Sequence, residues 1–162
     1  MSGISGTLGK NLVVRTMRDG STIVSAKPDF SHRKFSRGQL KHQSRFQEAA
    51  AYARTAAKTN PIYAQLAKGT LKTAYNIALS DWFNPPVIHS IQRQGETIRV
   101  VATDNVLVAK VWVSILDKDG KMLEQGEATR RRDQVWEYTA NADGTIKVEV
   151  WDLAGNVAKK EV

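Results

Sequence analysis

The sequence predicts an α+β chain: an N-terminal β-hairpin and a helical region, followed by an antiparallel β-sandwich. Three observations carry this. Apolar residues recur with a helical period of about 3.6 between about residues 36 and 80 and with a period of about 2 after residue 86. Pro85-Pro86 stands at the switch, where it removes two N–H donors and forbids helix. The formal charge of +8 lies on one side of it: residues 1–85 hold thirteen Lys/Arg against four Asp/Glu, and residues 86–162 hold eleven against twelve. The chain therefore reads as two modules, 1–85 and 86–162.

Leu12-Val13-Val14 and Thr22-Ile23-Val24-Ser25 are short β-branched runs on either side of Arg18-Asp19-Gly20-Ser21. Asp-Gly between such runs predicts a hairpin. The start, S-G-I-S-G-T-L-G with glycines at 3, 6 and 9, lacks the spacing of a dinucleotide fingerprint and reads as a glycine-rich arm. Residues 26–35 form a basic loop. Ser36 with Gln39 has the form of a capping box, and Phe35 with Leu40 that of a hydrophobic staple. The helix they open runs to about Lys58, with Leu40, Phe46, Ala50, Ala53 and Ala57 inward. A stripe so rich in alanine calls for a close-packed partner helix. Asn60-Pro61 opens a short helix over 61–67 that ends at Gly69. Thr70 caps a third helix over 71–80, with Leu71, Ala74, Tyr75, Ala78 and Leu79 inward. Asp81-Trp82-Phe83-Asn84 and the two prolines end it.

Beyond residue 86, alternation turns Ile98, Val100 and Ala102 to one face, as it does Leu107, Ala109, Val111, Val113 and Ile115, and Ile146, Val148 and Val150. Lys110, Trp112, Ser114, Lys147, Glu149 and Trp151 point the other way. Turn signals such as Gln94-Gly95, Asp104-Asn105, Asp119-Gly120, Asp143-Gly144 and Gly155-Asn156 separate the runs. Seven strands fit: 87–93, 97–103, 106–116, 121–128, 134–139, 145–151 and 157–161. Short alternating strands at this spacing predict a sandwich or barrel.

Residues 87–162 resemble the bacterial Ig-like domains of adhesins and repeat-containing surface proteins. The resemblance rests on Ala102-Thr103-Asp104 before Val111-Trp112-Val113, and on Asp119-Gly120 with Gly126-Glu127-Ala128. It continues through Trp136-Glu137-Tyr138, Gly144-Thr145-Ile146-Lys147-Val148 and Trp151-Asp152-Leu153-Ala154-Gly155-Asn156. It covers about half the chain and implies an Ig-like sandwich with a binding or spacer role, and no chemistry. Such domains usually sit in exported, multi-domain chains, whereas this sequence holds one copy and shows no leader. Residues 1–85 loosely resemble uncharacterised bacterial proteins with a glycine-rich hairpin and a basic, Gln-containing helix, and that resemblance transfers no function.

Composition excludes several chemistries. With no cysteine there is no disulfide framework, thiolate zinc site, iron–sulfur cluster or thiol nucleophile. The three histidines show no metal-binding spacing, and no G-x-S-x-G elbow exists. Asp117-Lys118-Asp119-Gly120 begins like a calcium loop but has Ala128 at the twelfth position, where a bidentate Glu belongs, and reads as a hairpin turn. Asp104 and Asp152 can meet at one end of the sandwich, as in some calcium-binding Ig-like repeats. The sequence assigns no catalytic residue, no metal ligand and no cofactor. It has no apolar run of signal-peptide or membrane-spanning length, so the expectation is a cytoplasmic protein without a membrane role, with leaderless export left open.

The strongest functional candidate is the basic stretch. Lys27, Arg33, Lys34, Arg37, Lys41 and Arg45 face only Asp29, and the last three recur at every fourth position of the predicted helix. Fixed cations at such spacing attract phosphates by counterion release, while no motif for sequence-specific reading is present. Arg130-Arg131-Arg132 reads as a basic loop between strands. The outward Trp112 and Trp151 need a cover: the N-terminal helices, another subunit or a ligand. The expectation is a non-enzymatic structural or assembly protein acting through protein–protein contacts, with itself or another protein. Non-specific nucleic-acid binding through the basic half is the first alternative. An adhesin-like surface-binding module is the second.

Overall fold

The computed structural model describes residues 5–17 and 19–162, so Gly3 of the arm and Arg18 of the predicted turn lie outside the described residues. The chain packs as two compact units, 1–41 and 42–162. The change from helix to strand falls inside the second unit, at Pro85-Pro86, between the last helix and the first sandwich strand.

The first unit holds a three-stranded antiparallel sheet, in the order β1 (Gly6–Leu8), β2 (Leu12–Thr16), β3 (Thr22–Ala26). The β2–β3 hairpin is the predicted one. Gly20 turns at φ +84°, and the backbone N–H and hydroxyl of Ser21 donate to Asp19 Oδ1 at 3.0 and 2.7 Å. The glycine-rich arm supplies the extra strand β1, which pairs Gly6 with Val14 and Leu8 with Leu12. The registers put Leu8, Leu12, Val14, Val24 and Ala26 on one face with Gly6, Thr16 and Thr22, and no charge among them. None of the described residues from 5 to 41 is buried.

Helix α1 (Arg37–Thr59) opens on the predicted capping box. The Ser36 N–H donates to Gln39 Oε1 at 2.9 Å, and the Gln39 N–H to Ser36 Oγ at 3.3 Å. Its buried face is Ala49, Ala50, Ala53 and Ala56, whereas Leu40, Phe46 and Phe35 are exposed. The expected stripe was thus wrong at its N-terminal end. The run Ala49-Ala50-Ala51 and Ala56-Ala57 is apolar almost all round, so periodicity alone does not select the face.

Helix α2 (Pro61–Ala67) has Asn60 as N-cap, its side chain accepting from the Ile62 N–H. Helix α3 (Ala74–Phe83) starts and ends three residues later than predicted. Its N-cap is Thr73, which accepts from the Asn76 N–H, while the Thr70 hydroxyl donates back to the Ala67 carbonyl. Leu71 is consequently fully exposed, not inward. The helix runs to Phe83 because Pro85 restricts only the residue before it. Ala53 and Ala56 of α1, Tyr63 of α2, and Ile77 and Ala78 of α3 form one core, which supplies the predicted close helix partners.

The sandwich has two four-stranded sheets. One is β4 (Val87–Gln94), β5 (Thr97–Thr103), β9 (Val135–Thr139), β8 (Thr129–Arg132), in that order; the other is β11 (Val157–Glu161), β10 (Thr145–Asp152), β6 (Val108–Leu116), β7 (Met122–Glu127). Lettered A, B, C, C′, D, E, F, G along the chain, the sheets read A-B-E-D and G-F-C-C′, the immunoglobulin strand order. All seven predicted strands are present. Strand β8 is additional, so Arg130-Arg131-Arg132 is an edge strand and not a loop. Three charges in a row keep a sheet edge from pairing with another chain. Arg130 and Arg131 also pair with Asp133 and Glu137, at 3.0 and 3.1 Å.

Ile98, Val100, Ala102, Val111, Val113, Ile115, Ile146, Val148 and Val150 fill the space between the sheets, as alternation requires, with Trp136 beside them. Two positions depart, Leu107, which precedes the strand and lies outside this core, and Ala109. A register shift where Asp152 pairs Val108 turns Val108 inward and leaves Ala109 exposed.

Candidate functional site

The second unit brings three carboxylates together. Asp81 sits in the last turns of α3, Asp104 in the turn after β5, and Asp152 at the end of β10. One oxygen from each lies within 4.8 Å of the other two. Asp81 and Asp152 are buried and Asp104 is partly so.

Local structure fixes each group. Asp104 Oδ2 accepts the N–H groups of Val106 and Leu107 at 2.7 and 2.9 Å, closing the turn. The Asn156 backbone N–H donates to Asp152 Oδ1 at 2.8 Å and its side-chain amide to Oδ2 at 2.7 Å, around the Gly155 turn at φ +87°. The same amide donates to the main-chain carbonyls of Asp81 and Trp82 at 3.0 and 3.3 Å. Asn105 donates to Ser80 Oγ at 2.8 Å. The helical core also meets Val106 and Leu153 of the sandwich turns. The helices of this unit therefore dock on the sandwich end that carries Asp104 and Asp152.

Asp81 ends a buried chain of hydroxyls. Tyr63 donates to Asp81 Oδ2 at 2.6 Å, the Tyr52 and Tyr63 hydroxyls are 2.7 Å apart, and Tyr52 donates to the Leu153 carbonyl at 3.1 Å. Two hydroxyl protons serve these three contacts, so with Asp81 ionised one of them goes unmade; a proton on Asp81, donated to Tyr63 while Tyr63 donates to Tyr52, completes the set. Burial, with Asp152 and Asp104 close by, pushes the Asp81 carboxyl up to about 7. Burial likewise raises Asp152 and both tyrosines. Asp81 Oδ1 and Asp104 Oδ1 are buried and make no hydrogen bond of regular geometry.

The sequence-predicted basic residues are placed as follows. Lys27, Arg33, Lys34, Arg37 and Lys41 belong to the first unit and are exposed, while Arg45 belongs to the second. The Arg33 guanidinium lies 5.7 and 5.1 Å from the ring centres of Phe30 and Phe35. That of Arg45 lies 5.7 and 5.4 Å from Trp82 and Phe83, so two of the six are engaged by aromatic rings. Among the described residues, Lys27, Lys34, Arg37 and Lys41 have no ion pair, whereas six pairs are formed within residues 93–159.

Trp112 and Trp151 point outward from β6 and β10, as predicted, and are half-buried. Lys110 of the same face lies between them, its Nζ 4.4 Å from one ring centre and 5.3 Å from the other. The cover is thus partly a neighbouring side chain, which the sequence reading did not name. His89 Nε2 is 2.6 Å from Thr103 Oγ1, an exposed pair.

No family model matches the sequence, and no curated protein matches it. Among solved structures, CopC from Methylosinus trichosporium OB3b is similar over 47% of this chain and 87% of that one, at 16% identity and a TM-score of 0.38. A likeness that weak carries no argument about function. No helix among the described residues is long and apolar enough to cross a membrane.

Proposed function

We propose that the protein is a non-enzymatic assembly module that works through protein–protein contacts, and that the uncharged face of the β1–β3 sheet is its contact surface, met by a second copy of the chain. The observation that supports this reading is the exposure of that face: Leu8, Leu12 and Val24 are 62%, 39% and 57% exposed. A three-stranded sheet gains independent stability only by covering an apolar face, at about 25 cal/mol per Å² removed from water. Exposed apolar faces of this kind mark interaction sites.

Charge gives the reading a signature. Residues 1–41 hold eight Lys/Arg against two Asp/Glu, so two such units repel as they meet. Salt screens that repulsion and strengthens an apolar contact, whereas it weakens binding to a polyanion. Light scattering over a concentration series, at low and high salt, separates the two. The expected result is a particle mass that grows with concentration and grows further with salt, and that falls to the monomer in Val24→Asp. A monomer at every concentration and salt would refute the assembly reading.

Polyanion binding is the second reading, favoured by the exposure of Lys27, Lys34, Arg37 and Lys41 without ion pairs. It predicts a complex with duplex DNA at low salt that dissociates at high salt. A monomer indifferent to both salt and DNA would leave the surface-binding role.

A further inference from the structure

We propose that Asp81, Asp104 and Asp152 form a calcium site that clamps helix α3 to the turns at one end of the sandwich. Three carboxylates converge, with one oxygen of each within 4.8 Å of the others. A single ion with oxygen ligands at about 2.4 Å bridges such separations.

A second observation points to a ligand independently of the cluster. Asp81 is wholly buried, yet its Oδ1 makes no hydrogen bond of regular geometry, the Ala154 N–H being the backbone donor beside the carboxyl, and the buried Oδ1 of Asp104 has no partner either. Buried polar atoms are almost always satisfied, and a carboxylate oxygen left bare costs more than a neutral one. In both residues the other oxygen is held by donors: the Tyr63 hydroxyl on Asp81, and the Val106 and Leu107 N–H groups on Asp104. These two carboxylates are each oriented by one oxygen and leave the other unsatisfied, whereas both oxygens of Asp152 accept from Asn156.

Nothing among the described residues neutralises the three groups, since none of the ion pairs involves them. Asp81 also lies near the C-terminus of α3, where the helix dipole disfavours a negative charge and favours a cation. The donors are all oxygen, which selects a hard cation over zinc or copper. Mg²⁺ demands shorter, near-octahedral ligation and keeps its waters, whereas Ca²⁺ accepts six to eight oxygens at flexible angles. Water would complete the shell.

The ligands come from three separated stretches of chain, one helical and two from sandwich turns. An ion there binds the folded arrangement and not the unfolded chain, so it stabilises by mass action.

The test uses the full-length protein freed of metal with a chelator. Adding Ca²⁺ to about 100 times its dissociation constant is expected to raise the melting temperature by about 5–10 °C, with a clearly smaller rise for Mg²⁺ at the same concentration. Terbium is expected to bind in competition with Ca²⁺ and to luminesce on tryptophan excitation, because Trp82 adjoins Asp81. Asp104→Asn removes one charge from the most accessible ligand. In chelator this variant is expected to melt above the wild type, since repulsion is relieved, and to lose the calcium response. A wild-type melting temperature indifferent to Ca²⁺, an equal rise with Mg²⁺, or an Asp104→Asn variant that responds to Ca²⁺ as the wild type does would each overturn the proposal. The wild-type titration decides the matter even where a variant fails to fold.

Discussion

Gly144→Ala is expected to lower stability by more than about 3 kcal/mol, enough to leave little folded protein. A Cβ at Gly144 would stand 2.1 Å from the main-chain oxygen of Leu116 and 3.0 Å from its carbonyl carbon. The next residue, Thr145, pairs directly with Leu116, so the obstacle is the β10–β6 ladder at the centre of its sheet. Gly144 is not among the glycines of positive φ, so the cause is space and not backbone conformation. Gly126→Ala provides the comparison. Its Cβ would meet the Tyr138 ring at 2.6 Å, a side chain that can swing away by giving up its 2.8 Å bond to Glu124. The expected loss there is about 1–2 kcal/mol. Urea unfolding midpoints measure both. A Gly144→Ala protein as stable as the wild type would contradict the β10–β6 register.

Stability in chelator is expected to fall as pH rises from about 4 to 7, by up to about 4 kcal/mol from Asp81 alone. The sign follows from the direction of the shift. The folded state holds Asp81's proton up to about pH 7, whereas the unfolded chain releases it near the ordinary aspartate value of 3.8. Asp81 therefore contributes stability that is complete below its unfolded pKa and is lost as pH rises through the folded one. Asp152, also raised by burial, acts in the same sense. Glu124 and Glu137 act in the opposite sense at lower pH. Backbone N–H donation holds Glu124 down, and the Arg99 guanidinium holds Glu137 down, so their contributions are lost on acidification. Asp81→Asn is expected to flatten the fall between pH 5 and 7. Denaturation midpoints that rise with pH across that window would contradict the placement of Asp81 in a buried, acidic setting.

Where sequence carried a local rule, it was legible. Ser36 with Gln39, Asn60 before Pro61, and Asp19-Gly20 each act through hydrogen bonds closed within four residues, and each appears as expected. Alternation fixed the inward residues of β5 and β10 because both faces of those strands differ in polarity. Three features were not legible. The face of α1 is masked by alanines on several sides. The choice of Thr73 over Thr70 as a cap depends on how α3 meets the rest of the core. Strand β8 exists only because β9 offers it a partner. The carboxylate cluster was half visible, in that Asp104 and Asp152 end strands of the same sandwich. Asp81 was hidden, since its helix was expected to stop before it. Only the packing of α3 on the sandwich turns brings that side chain to the other two.

The proposed contact surface is a sheet face that gains stability when covered, so amide hydrogen exchange across β1, β2 and β3 tests it most directly. At low protein concentration the amides of Val13, Val14, Ile23 and Val24 are expected to exchange fast, and at high concentration and high salt to become protected together with the growth in particle mass. Exchange in this sheet that stays unchanged over the whole concentration range, while β5, β6 and β10 remain protected, would contradict self-association through this face.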